Sequence, residues 1–154
     1  MAKSDLMKFL IINAVFYEDI AEMMLEGAIS ELEAFGHSYN KLSVPGAFEV
    51  PAAISFAADT ENYHGYIALG CVIKGETIHH EVVAYESARG INDLATSLNL
   101  PIGNGIITVE NYEQAVFRAD VNKGNRGGFA AQAAIKMAII QKNFSNLLKK
   151  EDDD

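Results

Sequence analysis

The segment LGCVIKGETIHHEVV, Leu69 to Val83, decides how the rest of this chain is read. It opens as the end of an apolar run, Tyr66 to Ile73, that has no polar residue at helical spacing. A short apolar run bounded by turn residues is the pattern of a strand buried on both faces, as in a parallel sheet. The run stops at Lys74-Gly75, after which Thr77 is placed to cap a helix with His79, His80 and Glu81 in its first turn. Strand, tight turn and helix start together offer free backbone N–H groups at the carboxyl end of a sheet. Open α/β folds bind ligands there, and helix N-termini favour anions. A first-turn histidine at that place is positioned to move protons for a phosphorylated substrate. The same letters also describe a capped surface helix with two solvated histidines.

Outward from this segment, the 154 residues predict one domain, large enough to bury a core without disulfides or metal. The single cysteine, Cys71, falls inside the apolar run, reads as core filler, and suits a reducing cytosol. The first residues lack a signal-peptide pattern and no run reaches membrane-span length, so a cytoplasmic protein is expected. A formal net charge of −9 argues against nucleic acid or an anionic membrane as partner. Flexible tails are expected at residues 1–7 and at the charged end, 149–154.

The remaining chain alternates strands and helices. Lys8 to Asn13 reads as a first buried strand, and Asp19 to Phe35 as an amphipathic helix stopped by Gly36. His37 follows in a connection and is expected in solvent. Ser38 to Val44 is a weaker strand, and Phe48 to Ala58 is helical in pattern with Pro51 in its first turn. His79 to Ser97 is the third helix. Ile102 to Thr108 is a fourth strand whose glycines imply close backbone approach. A short helix spans Glu110 to Ala119, a loop Asp120 to Gly128, and a last helix runs to about Leu148. The order predicts an α/β three-layer sandwich: a four-stranded parallel sheet with helices on both faces and a flavodoxin-like topology. The alanine-rich last helix suggests close packing against a neighbour and hence an oligomer.

Each strand end carries groups able to hold a ligand. Phe16 and Tyr17 follow the first strand, Gly46 and Glu49 the second, Gly75 to His79 the third, and Asn111 and Arg118 the fourth. Singly, each has an ordinary structural reading: packing, a first-turn acid on a helix dipole, a surface charge. Four strand ends together favour a site. There is no dinucleotide or Walker loop, no Cys/His metal spacing and no nucleophile elbow, so no metal is expected.

The motifs VPGAFEVP (44–51), GCVIKGETIHHE (70–81), NGIITVEN (104–111) and RADVNKGNRGG (118–128) resemble, in order and spacing, those of the lumazine synthases. The resemblance implies condensation of 5-amino-6-ribitylaminouracil with 3,4-dihydroxy-2-butanone 4-phosphate to give 6,7-dimethyl-8-ribityllumazine, phosphate and water. It implies that Phe16 stacks on the pyrimidine and that Ala47, Phe48 and Glu49 hold the ribityl chain. Backbone groups of Val72 and Ile73 read the uracil edge, while Glu76 (through its N–H), Thr77 and Arg118 bind phosphate. His79 moves protons, work suited to an imidazole because it titrates close to neutrality. No cofactor is required. The resemblance further implies a homopentamer with shared sites, in which Asn104, Arg118 and Arg126 come from the neighbouring chain. The chain departs from the common pattern at Tyr17 (usually Asn), Asn104 (aromatic in some members) and Arg126 (often Lys). The alternatives are a catalytically weak flavin- or lumazine-binding or shell-forming relative, and a flavodoxin-like electron carrier. The carrier is disfavoured because Asn13 to Tyr17 lacks a hydroxyl- and glycine-rich phosphate cradle.

Overall fold

In the computed structural model, which describes residues 5–153, the chain forms one parallel sheet between two helical layers. The strands are β1 (Lys8–Ala14), β2 (Ser38–Val44), β3 (Gly65–Ile73) and β4 (Ile102–Val109), in the order β2-β1-β3-β4. The helices are α1 (Glu18–Ala34), α2 (Val50–Ala58), α3 (His79–Ser97), α4 (Tyr112–Ala119) and α5 (Arg126–Asp153). A one-turn 3₁₀ segment, Ala47–Glu49, leads into α2, and Pro51 sits in the first turn of that helix. Proline is tolerated there because a first-turn N–H has no intrahelical acceptor to lose.

Burial follows the sheet order. β1 and β3 are central and pair in register, Ile11 opposite Ile67 and Leu10 opposite Tyr66, so both faces are covered. β2 is an edge strand and largely exposed, which is why its apolar pattern is weak. One core layer packs Phe9, Ile11, Met24 and Leu32 against the alanines of α5. The other packs Leu10, Ile12, Val50, Ile54 and Ile91 beneath α2 and α3. Burying each such side chain is worth roughly 1.5–3 kcal/mol.

The glycines of β4 answer to α5. A Cβ on Gly103 would lie 1.8 Å from the Ala130 carbonyl oxygen, and one on Gly105 2.7 Å from the Ala130 Cβ. The alanine stripe of α5 (Ala130, Ala131, Ala134, Ala138) is therefore spent on this chain's own sheet, and it carries no information about a neighbour. The loop expected to reach Gly128 ends at Asn125, because Arg126, Gly127 and Gly128 already form the first turn of α5. Tails are expected at 1–7 and 149–154, but the described parts are ordered into the fold. Met7 is buried in the core, and α5 continues through Asp153 on helix-forming Leu, Lys and Glu. Residues 1–4 and 154 of those tails lie outside the described residues.

His37 is buried, 5% exposed, and not in solvent as expected. α1 ends in a Schellman turn: Gly36 takes φ +76°, its N–H donates to the Glu33 carbonyl, and the His37 N–H donates to Leu32. The turn delivers His37 beneath the sheet, where Nδ1 accepts the Met7 N–H at 3.1 Å and the ring meets Phe9 edge-on. His64 Nδ1 likewise accepts the Lys8 N–H at 3.0 Å. Burial, with His64 nearby, pushes the His37 imidazole below its ordinary value. The folded state thus binds that proton less readily than the unfolded chain. Its contribution is complete above about pH 6.5, the unfolded value, and is lost as pH falls below it. A single such group limits the slope to about 1.4 kcal/mol per pH unit. His37→Asn keeps an acceptor for Met7 without a titrating proton. Thermal melts between pH 7 and pH 5 should therefore fall less steeply for the variant; parallel curves would remove His37 from the account.

Candidate active site

The carboxyl ends of β1 and β3 open onto a cavity of about 450 Å³. In the order β2-β1-β3-β4 this is the point where the connections change direction, the place at which open α/β sheets hold ligands. Phe16 and Tyr17 enter from the end of β1, and Ala47, Phe48 and Glu49 from the 3₁₀ turn after β2. Val72 and Ile73 come from the end of β3, and Thr77 and His79 from the start of α3. Of the residues that sequence pointed to, these eight (Phe16, Ala47, Phe48, Glu49, Val72, Ile73, Thr77 and His79) are thus brought together.

Phe16 is 72% exposed and rests edge-on against Tyr17, with ring centroids 4.9 Å apart. A ring left that open is not core packing, and its face is available for stacking. Tyr17 is half-buried, and burial raises its phenol, which holds it neutral beside the cavity. Cys71 lines the floor, and burial pushes its thiol up to about 11. A thiol held there is protonated at neutral pH and cannot serve as a nucleophile. Glu49 is exposed, and its carboxylate is able to accept hydrogen bonds from hydroxyls. The His79 side chain is exposed, lines the cavity and has no hydrogen-bond partner among the described residues.

The turn between β3 and α3 differs in detail from the expected cap. Ile78 occupies the cap position, and the Thr77 hydroxyl accepts the His79 N–H at 3.3 Å instead. That bond uses an oxygen lone pair and leaves the hydroxyl proton free to donate. Glu76 does not line the cavity, although Gly75 and Thr77 on either side of it do. His80, which the sequence offered only as a second solvated histidine, lines the cavity and bonds within the turn. Val83, one helical turn beyond His79, adds an apolar wall that no sequence signal marked.

Asn104, Arg118 and Arg126 lie elsewhere. They surround a second cavity of about 300 Å³ on the exposed edge of β4, and it shares no lining residue with the first. The Asn104 side-chain oxygen is occupied by the Ile106 N–H at 3.0 Å. Arg118 is in the last turn of α4, and Arg126 in the first turn of α5 stacks over Phe129. Among the described residues, neither guanidinium has a carboxylate within 4 Å. Asn111, singled out as a possible ligand group, is instead the cap of α4: its side chain accepts the Gln114 N–H at 2.9 Å. No cluster of potential metal ligands occurs among the described residues, and none of their helices is long and apolar enough to cross a membrane.

Residues 6–142 match the family model described as 6,7-dimethyl-8-ribityllumazine synthase. The chain is similar to the proteins of that name from Bartonella tribocorum (51% identical, covering 89% of this chain and 91% of the relative) and Afipia carboxidovorans (52%, 90% and 88%). It is also similar to the one from Sphingopyxis alaskensis, at 53% identity over 88% of this chain and 95% of the relative.

Proposed function

The chain belongs to the 6,7-dimethyl-8-ribityllumazine synthase family, and from that premise we propose how its two cavities divide the work. The enzyme is a transferase of riboflavin biosynthesis. It condenses 5-amino-6-ribitylaminouracil with 3,4-dihydroxy-2-butanone 4-phosphate, releasing the lumazine, inorganic phosphate and water. The match over residues 6–142 carries this reading. A catalytically weak binding or shell-forming relative is not favoured, since the similar proteins are named as synthases.

In the proposed arrangement the pyrimidine stacks on Phe16, with its uracil edge against the β3 backbone at Val72 and Ile73. The ribityl chain runs along Ala47 and Phe48, and Glu49 accepts from its hydroxyls. The phosphate lies at the β3–α3 turn, on the Glu76 N–H and the Thr77 hydroxyl. The 5-amino group attacks the ketone, and loss of water gives an imine. Removal of the adjacent carbon-bound proton then expels phosphate, and the ribitylamino nitrogen closes the ring with loss of a second water. Every stage needs a proton moved and none needs an electron. His79 moves it: its imidazole lines the cavity and has no partner among the described residues.

Arg118, Arg126 and Asn104 complete the site from a neighbouring chain in a cytoplasmic homopentamer. Two features support this: the β4-edge cavity is separate from the strand-end cavity, and Phe129 on its wall is exposed. A head-to-tail ring places one surface of each chain against a different surface of the next. A turnover assay with both substrates, followed by native mass of the assembly, tests the whole reading. No turnover would overturn the reaction, and a monomeric mass would overturn the shared site.

His79→Ala should lower turnover while leaving affinity for a non-reactive pyrimidine analogue nearly unchanged. Positioned acid–base groups contribute on the order of 10²–10⁴-fold. The loss here should lie at or below the low end, because an amine and a ketone condense unaided. Unchanged turnover in this variant, with loss in His80→Ala, would transfer the role to His80.

A further inference from the structure

We infer that His80 is a positioning residue for phosphate recognition: by donating its Nδ1 proton to the Thr77 carbonyl, it frees the Gly75 N–H for an anion in the cavity. The inference rests on the reaction proposed above.

His80 Nδ1 stands 2.8 Å from the Thr77 carbonyl oxygen and 3.3 Å from the Gly75 nitrogen. Both partners compete for one ring nitrogen. A carbonyl only accepts, so the shorter contact requires a proton on Nδ1; an N–H only donates, so the longer one requires a bare lone pair there. The two contacts are therefore alternatives. With Nδ1 protonated, the Thr77 carbonyl is held and the Gly75 N–H has no acceptor within the turn. With Nδ1 bare, Gly75 is tied to the imidazole and Nδ1 faces the carbonyl lone pairs without a proton between them.

An anion decides between them. Gly75 and the His80 ring that its N–H faces both line the strand-end cavity, and a Cβ placed on Gly75 would meet nothing within 4 Å, so that side of the turn is unfilled. A phosphate oxygen there accepts the Gly75 N–H and favours the form with the proton on Nδ1. The same form fixes the peptide that carries Thr77, whose hydroxyl proton is free because its oxygen already accepts from His79. The groove on the other side of the imidazole carries Lys74, Glu81, Glu110 and Arg118, of which Lys74 and Glu110 pair at 3.4 Å.

Two variants separate positioning from mere support. Asparagine places an amide at the position of Nδ1 and can donate to Thr77, whereas phenylalanine keeps a ring and donates nothing. His80→Phe should raise the KM for the phosphorylated ketone about three- to tenfold, the loss of one ordinary hydrogen bond. The KM for the pyrimidine should move less, and His80→Asn should recover most of the difference. A fall in kcat with both KM values unchanged, or no difference between Phe and Asn, would overturn the inference. The second readout is the ¹⁵N spectrum of histidine-labelled wild-type enzyme with inorganic phosphate added to saturation. His80 Nδ1 should give the signal of a protonated nitrogen; a bare Nδ1 at every phosphate concentration overturns the inference. Absence of wild-type turnover would remove the proposed reaction instead, and the spectrum would still judge His80.

Discussion

Replacing Arg118 by alanine is expected to raise the KM for the phosphorylated four-carbon substrate about ten- to a hundredfold and to leave that for the pyrimidine nearly unchanged. A charge-assisted hydrogen bond is worth roughly 1.5–3 kcal/mol, and a guanidinium meets a phosphate through two parallel N–H donors. Arg118 is half-buried in the last turn of α4, beside Thr108 on the wall of the β4-edge cavity. With no carboxylate of its own chain within 4 Å among the described residues, it is available to an external anion. Lysine at the position keeps the charge and loses the fork, so Arg118→Lys should fall between wild type and alanine. Both Michaelis constants must be measured. An equal rise in the two would show that the variant disturbs the cavity as a whole, and the phosphate assignment would fail.

What was legible in the sequence was local. The unbroken apolar run Tyr66 to Ile73 gave a central strand because a strand covered on both faces has no solvent side to mark. Gly36 marked the end of α1 because the chain there must turn left-handed. His37 reads as a solvent residue locally, since what buries it comes from Met7 and Phe9, about thirty residues earlier in the chain. Gly127 and Gly128 looked like loop residues, yet they are helical. A Cβ on Gly127 would lie 2.0 Å from the Met24 carbonyl oxygen, so glycine at this position lets α1 and α5 touch, at a helix-propensity cost of about 1 kcal/mol. The two histidines at the start of α3 could not be told apart by spacing. Their bonds separate them: among the described residues the His79 imidazole has no partner, and that of His80 is engaged with the turn. The separation of Asn104, Arg118 and Arg126 from the strand-end cavity is a property of the folded chain that no local pattern marks.

That separation is open to a direct experiment, because a shared site can be rebuilt from two impaired enzymes. On the proposed arrangement His79 acts in the cavity of one chain and Arg118 reaches it from the next. Arg118 also borders a groove that includes Lys74 and His80 of its own chain, so a site contained in one chain is the rival geometry. His79→Ala and Arg118→Ala assemblies should each be dissociated, mixed in equal amounts and allowed to reassemble. In a head-to-tail ring every contact has one orientation, so about a quarter of the interfaces join an Arg118→Ala chain supplying His79 to a His79→Ala chain supplying Arg118. Those sites are intact, and another quarter or so carry both lesions. With the phosphorylated substrate well below the raised KM of the arginine variant, activity should rise towards about a quarter of wild type. Each variant reassembled alone is the control, and native mass confirms that the chains have mixed. If the mixture never exceeds the mean of the two controls, Arg118 and His79 serve the same chain, and the ring contributes nothing to the chemistry.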